Sequence, residues 1–222
     1  MRRRHLLTLL AAGAAAPGLA FADDNHLPLD KAFPLLSAYL TLAPADRSRF
    51  YLAYRAVRDK RPTGDAHATI VAANGARTPL PLDRVGQVLS QPSLAALKSA
   101  ATLEIAGAAF QLLPEIRCTM APAQRLDAGE LALALAQVNA AIAKIAGALA
   151  LMVPKLTCAF FPDAGTGQAL MADGRASPLP VFAAPILGPV PYFETSKFVG
   201  AKTVVLARAP SRILLGGHPK PA

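Results

Sequence analysis

Acids, histidines and cysteines are all scarce: the 222-residue chain holds 14 Asp and Glu, four His and two Cys. Each shortage closes off a class of chemistry. The carboxylates are scattered. Glu104 and Glu115 fall on expected strands without an acidic partner, and Asp163 and Asp173 sit at loop and turn positions, so no pair presents itself for general acid–base work. His26, His67 and His218 stand at no ligand spacing to one another, to a cysteine or to an acid, so the expectation is no metal and no cofactor. Cys118 and Cys158 lack an adjacent base and fall on apolar strand faces, unsuited to a nucleophile. Gly-x-Ser-x-Gly, His-Glu-x-x-His, Ser-x-x-Lys and phosphate-cradling glycine loops are absent. No catalytic residue can be named. A non-catalytic role is expected, with a hydrolase assembled from distant residues as the alternative. No basic stripe with interleaved aromatics occurs, which argues against nucleic acid as a partner.

The first residues carry the pattern of an export leader. Arg2, Arg3 and Arg4 form a basic start, Leu6 to Ala15 an uncharged core, and Pro17 and Gly18 break it. Ala20-Phe21-Ala22 then places small residues where a signal peptidase reads, so cleavage is expected between Ala22 and Asp23. The order Arg3-Arg4-His5-Leu6-Leu7 resembles a twin-arginine signal, without the usual Ser or Thr before the pair. A Sec leader is the alternative. The apolar run is too short to span a hydrocarbon core of about 30 Å. A periplasmic location, with peripheral membrane association, follows as the expectation. Loss of residues 1–22 removes three of the 23 basic residues and none of the 14 acids, leaving a net charge of +6. That balance favours anionic envelope surfaces. In an oxidising compartment Cys118 and Cys158 are permitted to pair; two buried thiols are the alternative.

The mature part contains an internal echo. Asn74-Gly75-Ala76-Arg77-Thr78-Pro79-Leu80-Pro81-Leu82 recurs, 99 residues on, as Asp173-Gly174-Arg175-Ala176-Ser177-Pro178-Leu179-Pro180-Val181. Asn-Gly and Asp-Gly predict two-residue hairpins with positive φ at both centres. Prolines at alternate positions strip one side of the following strand of donors, so each such strand belongs at a sheet edge. Flanking strands and short helical pieces near Pro92 and Pro191 complete the pattern. The predicted fold class is α+β: tandem α-β-β-β-α-β-β repeats with a pseudo-two-fold relation, mostly antiparallel, packed on a long apolar helix. Residues 23–121 form the first repeat, 122–216 the second, and 217–222 a disordered tail.

That long helix follows Asp127 as N-cap. Leu131, Leu135, Val138, Ile142, Ile145, Leu149 and Met152 draw one seam, and Pro154 ends it. Alanine covers most other positions, so burial on several sides is expected. A first helix from Asp30 to Leu42 contains Pro34.

Two stretches are candidates for binding. Arg55, Arg58, Lys60 and Arg61 cluster at one strand connection, suited to an anionic surface or an envelope protein. Phe182, Ile186 and Leu187 lie in an apolar Pro/Gly loop, followed by Tyr192 and Phe193, suited to a lipid or other apolar small molecule. The sequence-level reading is therefore a periplasmic binding protein for an apolar or amphiphilic ligand, held between sheet and long helix. An envelope scaffold is the alternative.

Overall fold

The computed structural model describes residues 26–147 and 153–219; the expected leader, its expected cleavage point at Ala22 and Asp23, and Leu149 and Met152 of the helical seam lie outside them. The described chain is α+β, mostly antiparallel sheet with one long helix. It divides into two compact units, one of residues 26–43 and 52–115, the other of 44–51, 116–147 and 153–219.

The first unit begins with β1 (His26–Pro28), α1 (Leu29–Ala32) and α2 (Leu36–Thr41). The single helix expected over Asp30 to Leu42 is thus two. Pro34 offers no N–H to continue the first, and Leu35 takes a left-handed φ of 72° at the join. Tyr54, fully buried, donates its hydroxyl to the Pro34 carbonyl at 2.5 Å and fixes that break. Next come β2 (Phe50–Arg58), β3 (Arg61–Pro62), β4 (His67–Val71), β5 (Arg77–Pro79), α3 (Leu94–Lys98), β6 (Thr102–Ala106) and β7 (Gln111–Cys118). One sheet runs β1-β6-β4-β5; β7, β2 and β3 neighbour one another in that order. Ser93 caps α3 by accepting from the Ala96 N–H.

The second unit holds β8 (Arg125–Asp127), α4 (Ala128–Ala146), β9 (Cys158–Phe160), β10 (Gly167–Met171), β11 (Ala176–Pro178), β12 (Val181–Ala184), β13 (Gly188–Glu194), β14 (Ala201–Leu206) and β15 (Leu214–Gly216). One sheet runs β8-β14-β10-β11, and in the other β12, β13, β9, β15 and the end of β7 follow one another.

Strands β5 and β11 both lie at sheet edges. Leu80 and Leu179 donate inward, to Ala68 and Gly167. By alternation Pro79, Pro81, Pro178 and Pro180 face outward, where no donor is needed. The hairpins themselves differ from the expected two-residue form. Gly75 and Gly174 have φ of +83° and +84°, but Asn74 and Asp173 do not enter the left-handed region. Their side-chain oxygens instead accept from Ala76 and Arg175 two residues on, at 3.0 and 3.1 Å. Only the glycine of each pair must then turn left-handed, which makes a three-residue loop.

The helical piece expected near Pro191 is strand. Pro191 pairs with Val181, and its carbonyl accepts from Phe161 just beyond the end of β9; the Phe161 carbonyl, which a Pro191 N–H would have met, accepts from Ala164 instead, so no acceptor is stranded.

Helix α4 starts as expected, with the Asp127 carboxylate accepting from the Glu130 N–H at 2.9 Å. Its burial is one-sided, not all-round. Leu131, Ala134, Leu135, Val138 and Ala141 are buried, whereas Leu133 and Ile145 are 49% and 47% exposed. Its polar residues explain the fit. Gln137 donates to the Ala45 carbonyl and accepts from the Arg49 N–H, Lys144 meets Asp46 at 2.5 Å, and Glu130 pairs with Arg49. These contacts bind the helix to the 3-10 turn Pro44–Arg47 and the residues after it. Asn139 donates to the Leu156 carbonyl and accepts from its N–H, locking the strand segment that returns along the helix. By length and composition α4 could cross a membrane, but its capped start and fixed polar contacts are those of a helix packed in protein.

Candidate functional site

The basic cluster does not assemble as a charged surface. Asp59 and Lys60 form a tight turn, both with positive φ, between β2 and β3. Arg55 points inward: its Nε meets Glu115 at 3.0 Å and its Nη1 donates to the Val85 carbonyl. Arg58 spends its guanidinium on the carbonyls of Ala108 and Ala109 and on Asp65. Thr63 also donates to Asp65, and these two partners hold its carboxyl below the usual range. Lys60 and Arg61 are exposed. An open cleft of about 430 Å³ lies among Arg58, Asp59, Arg61, Pro62, Thr63 and Asp65. Alternation along β2 turns Arg55 and Arg58 to opposite faces: one arginine neutralises a buried acid, the other ties down a loop.

The apolar loop is a hairpin. Strands β12 and β13 pair from Val181↔Pro191 to Ala184↔Gly188. Not one of the residues from Ala176 to Phe193 is charged. Phe182, Ile186 and Leu187 are half-exposed, and Phe182 and Leu187 pack against a buried cluster of Cys158, Phe160, Val190 and Tyr192. Phe160 and Tyr192 are direct cross-strand partners with ring centroids 5.5 Å apart; Phe182 meets Phe160 edge-on at 6.4 Å. Phe193 departs from the expected patch. Strand alternation turns it to the other face, where it is buried and stacked on Phe198 at 5.5 Å. Tyr192 is likewise buried, as part of the floor.

At the end of this aromatic face lies a group that no local motif announces. Glu194 on β13 is the register partner of Cys158 on β9, and Gly216 on β15 is its partner on the other side. His218 stands two residues beyond Gly216 and therefore on the same face. One ligand-type atom from each of Cys158, Glu194 and His218 lies within 4.8 Å of the others. His218 Nδ1 is 3.2 Å from Glu194 Oε1. Gly216 suits the position because a Cβ there would approach the Phe160 ring at 2.9 Å. Cys158 is fully buried, and burial pushes its thiol up to about 11. The thiol is thus a poor free nucleophile. The three residues are tens of positions apart in sequence; only the pairing of β13, β9 and β15 unites them. Gly217 and Pro219, in the segment expected as a tail, are buried.

Both cysteines are free and buried, which overturns the disulfide permitted by compartment. The sheet supplies the reason. Leu214 pairs with Phe160 on one side and Arg117 on the other, so those three share a face. Cys158 lies two residues from Phe160 on that face; Cys118 follows Arg117 and points to the opposite one. The two also sit two strands apart, opposite Gly216 and Ile213 of β15. Their Cα atoms are therefore about 14 Å apart by strand spacing and rise, and a bridge needs less than about 7 Å. Denatured without reductant, the protein should take up two maleimides, read as mass; uptake of none would contradict this placement.

No chamber opens between α4 and its sheet among the described residues: Leu131, Leu135 and Val138 fill that contact. A small cleft of about 180 Å³ lies at the helix start, by Arg49, Cys118, Met120 and Glu130. No family model, curated protein or solved structure matches this chain.

Proposed function

We propose that the chain is an exported, non-catalytic envelope protein that binds an amphiphilic lipid through the β12–β13 hairpin. The observation that carries this reading is the charge-free stretch Ala176–Phe193, which presents Phe182, Ile186 and Leu187 half-exposed above an aromatic floor. The ligand surface proposed is therefore the hairpin and not the helix interface, which is filled. Complete burial of such a side chain from full exposure is worth about 1.5–3 kcal/mol, of which each half-exposed residue gains a part in an acyl layer, and a net charge of +6 favours anionic headgroups. The leader pattern supports a periplasmic setting. A duplication origin, with repeats at 23–121 and 122–216, is part of the same reading. Its supports are the 99-residue echo and the equal strand orders β1-β6-β4-β5 and β8-β14-β10-β11.

The test is co-sedimentation of residues 23–222 with phosphatidylethanolamine–phosphatidylglycerol vesicles. Ile186→Ser with Leu187→Ser should lower partitioning at least about tenfold, since both lose apolar contact with the acyl layer. Equal partitioning of variant and parent would remove the hairpin from the binding surface. A fall only in Lys60→Ala/Arg61→Ala would transfer the role to the β2–β3 turn, the envelope-scaffold reading.

A further inference from the structure

We propose that Cys158, Glu194 and His218 form a binding site for a divalent transition-metal ion, with zinc as the cation of best chemical fit. The inference is independent of the lipid reading and rests on the register of three adjacent strands. The middle strand supplies the thiol. Its partner on one side supplies the carboxylate at the directly opposed position, and the strand on its other side delivers the imidazole two residues on. Three donors from three strands are thereby aimed at one point.

The separations agree with a tetrahedral ion. Bonds of about 2.0 Å to nitrogen and oxygen and about 2.3 Å to sulfur place ligand atoms about 3.3–3.6 Å apart. The His218–Glu194 separation of 3.2 Å is already at that edge length, and every donor lies within 4.8 Å of the others. Rotation of side chains by about an ångström closes the remainder. Charge agrees as well. Thiolate and carboxylate together cancel two positive charges, so the loaded site is neutral where Cys158 is buried. On binding, the S–H bond breaks, its proton passes to solvent, and the sulfur pair forms the bond to the metal; neutral His218 donates its free ring pair.

The surroundings hold the donors in place. Ser196 Oγ lies 3.1 Å from Glu194 Oε1 as its donor, and the Tyr192 ring meets His218 edge-on at 6.3 Å between centroids. Gly217 and Pro219 are buried on either side of His218, whose own side chain is 60% exposed. The backbone is thus anchored while the ring faces solvent. A fourth coordination position opens to water on that side, the arrangement of an ion able to accept an outside ligand. Among the described residues no such three-donor group includes Cys118, which provides an internal control.

The experiment titrates the reduced mature chain with cobalt(II), a spectroscopic stand-in for zinc, and then with zinc. One cobalt per chain should bind with a thiolate-to-metal charge-transfer band and the intense visible bands of a tetrahedral ion, and one equivalent of zinc should abolish both. Cys118→Ser should leave the spectrum unchanged, and Cys158→Ser should remove the charge-transfer band. His218→Ala and Glu194→Gln should weaken binding by at least roughly 100-fold, more than residues that only orient ligands. His218 is mostly exposed, so its variant should keep the parent's circular dichroism and carries the test even if Cys158→Ser fails to fold. Cobalt binding without a thiolate band, or with unchanged affinity in His218→Ala, would overturn the site and leave only a Glu194–His218 contact.

Discussion

Replacing Glu115 by alanine should destabilise the protein by about 3–5 kcal/mol. The Glu115 and Arg55 side chains are only 8% and 5% exposed, and they meet at 3.0 Å. Removing the carboxylate leaves a guanidinium that cannot deprotonate, in a place water barely reaches, with the Val85 carbonyl as its remaining neutral acceptor. Breaking one partner of a buried pair is costly because it strands the other, whatever the net worth of the intact pair. The same logic sets the controls. Glu115→Gln keeps an acceptor oxygen and should cost less, while Arg55→Met with Glu115→Leu removes both charges of the pair and should cost less than Glu115→Ala alone. Urea unfolding at pH 7 measures all three. A loss below about 1 kcal/mol in Glu115→Ala would mean that the pair behaves as a solvated one.

The second large effect is expected on helix α4. Leu131 is fully buried, so Leu131→Ala should cost about 2.7–5 kcal/mol through lost transfer energy and the cavity left behind. Leu133, two positions on, is half-exposed, and Leu133→Ala should fall within about 0.5 kcal/mol of the parent. The contrast isolates the one-sided burial of a helix whose composition suggests burial all round. Chemical denaturation of the two variants decides it, and equal losses would refute the assignment of faces.

Elements with a local chemical cause were readable from the sequence. The Asp127 cap, the two hairpins after Asn74 and Asp173, and the edge placement of the strands carrying Pro79 and Pro178 all follow from residues within a few positions of one another. Errors arose where a local rule had two solutions. Proline after an apolar loop can open a helix or lie beside a strand end, and at Pro191 the pairing with β12 decided. Asn-Gly can turn with two left-handed residues or with one, and the side-chain bond back to the chain chose one. Alanine on α4 reads as apolar in any hydropathy count, yet it is small enough to stand at the surface without forming a sticky patch. The metal-ligand cluster was illegible for a different reason. Its members are brought together by strand register, which depends on contacts across the sheet that no window along the chain contains. Histidine and cysteine spacing finds sites built on one turn or helix and misses those built across a ladder.

The outward prolines of β5 and β11 matter most before folding is complete. A polypeptide that spells out the same four-stranded order twice is exposed to strand exchange, in which a hairpin from one stretch is adopted by the growing sheet of the other, or of a neighbouring molecule. Such a trap needs donors along the rim where the intruder would attach. With Pro79, Pro81, Pro178 and Pro180 on those rims, an intruding strand meets prolines in place of donors at the β5 and β11 edges, so addition there is hindered even when many copies emerge side by side.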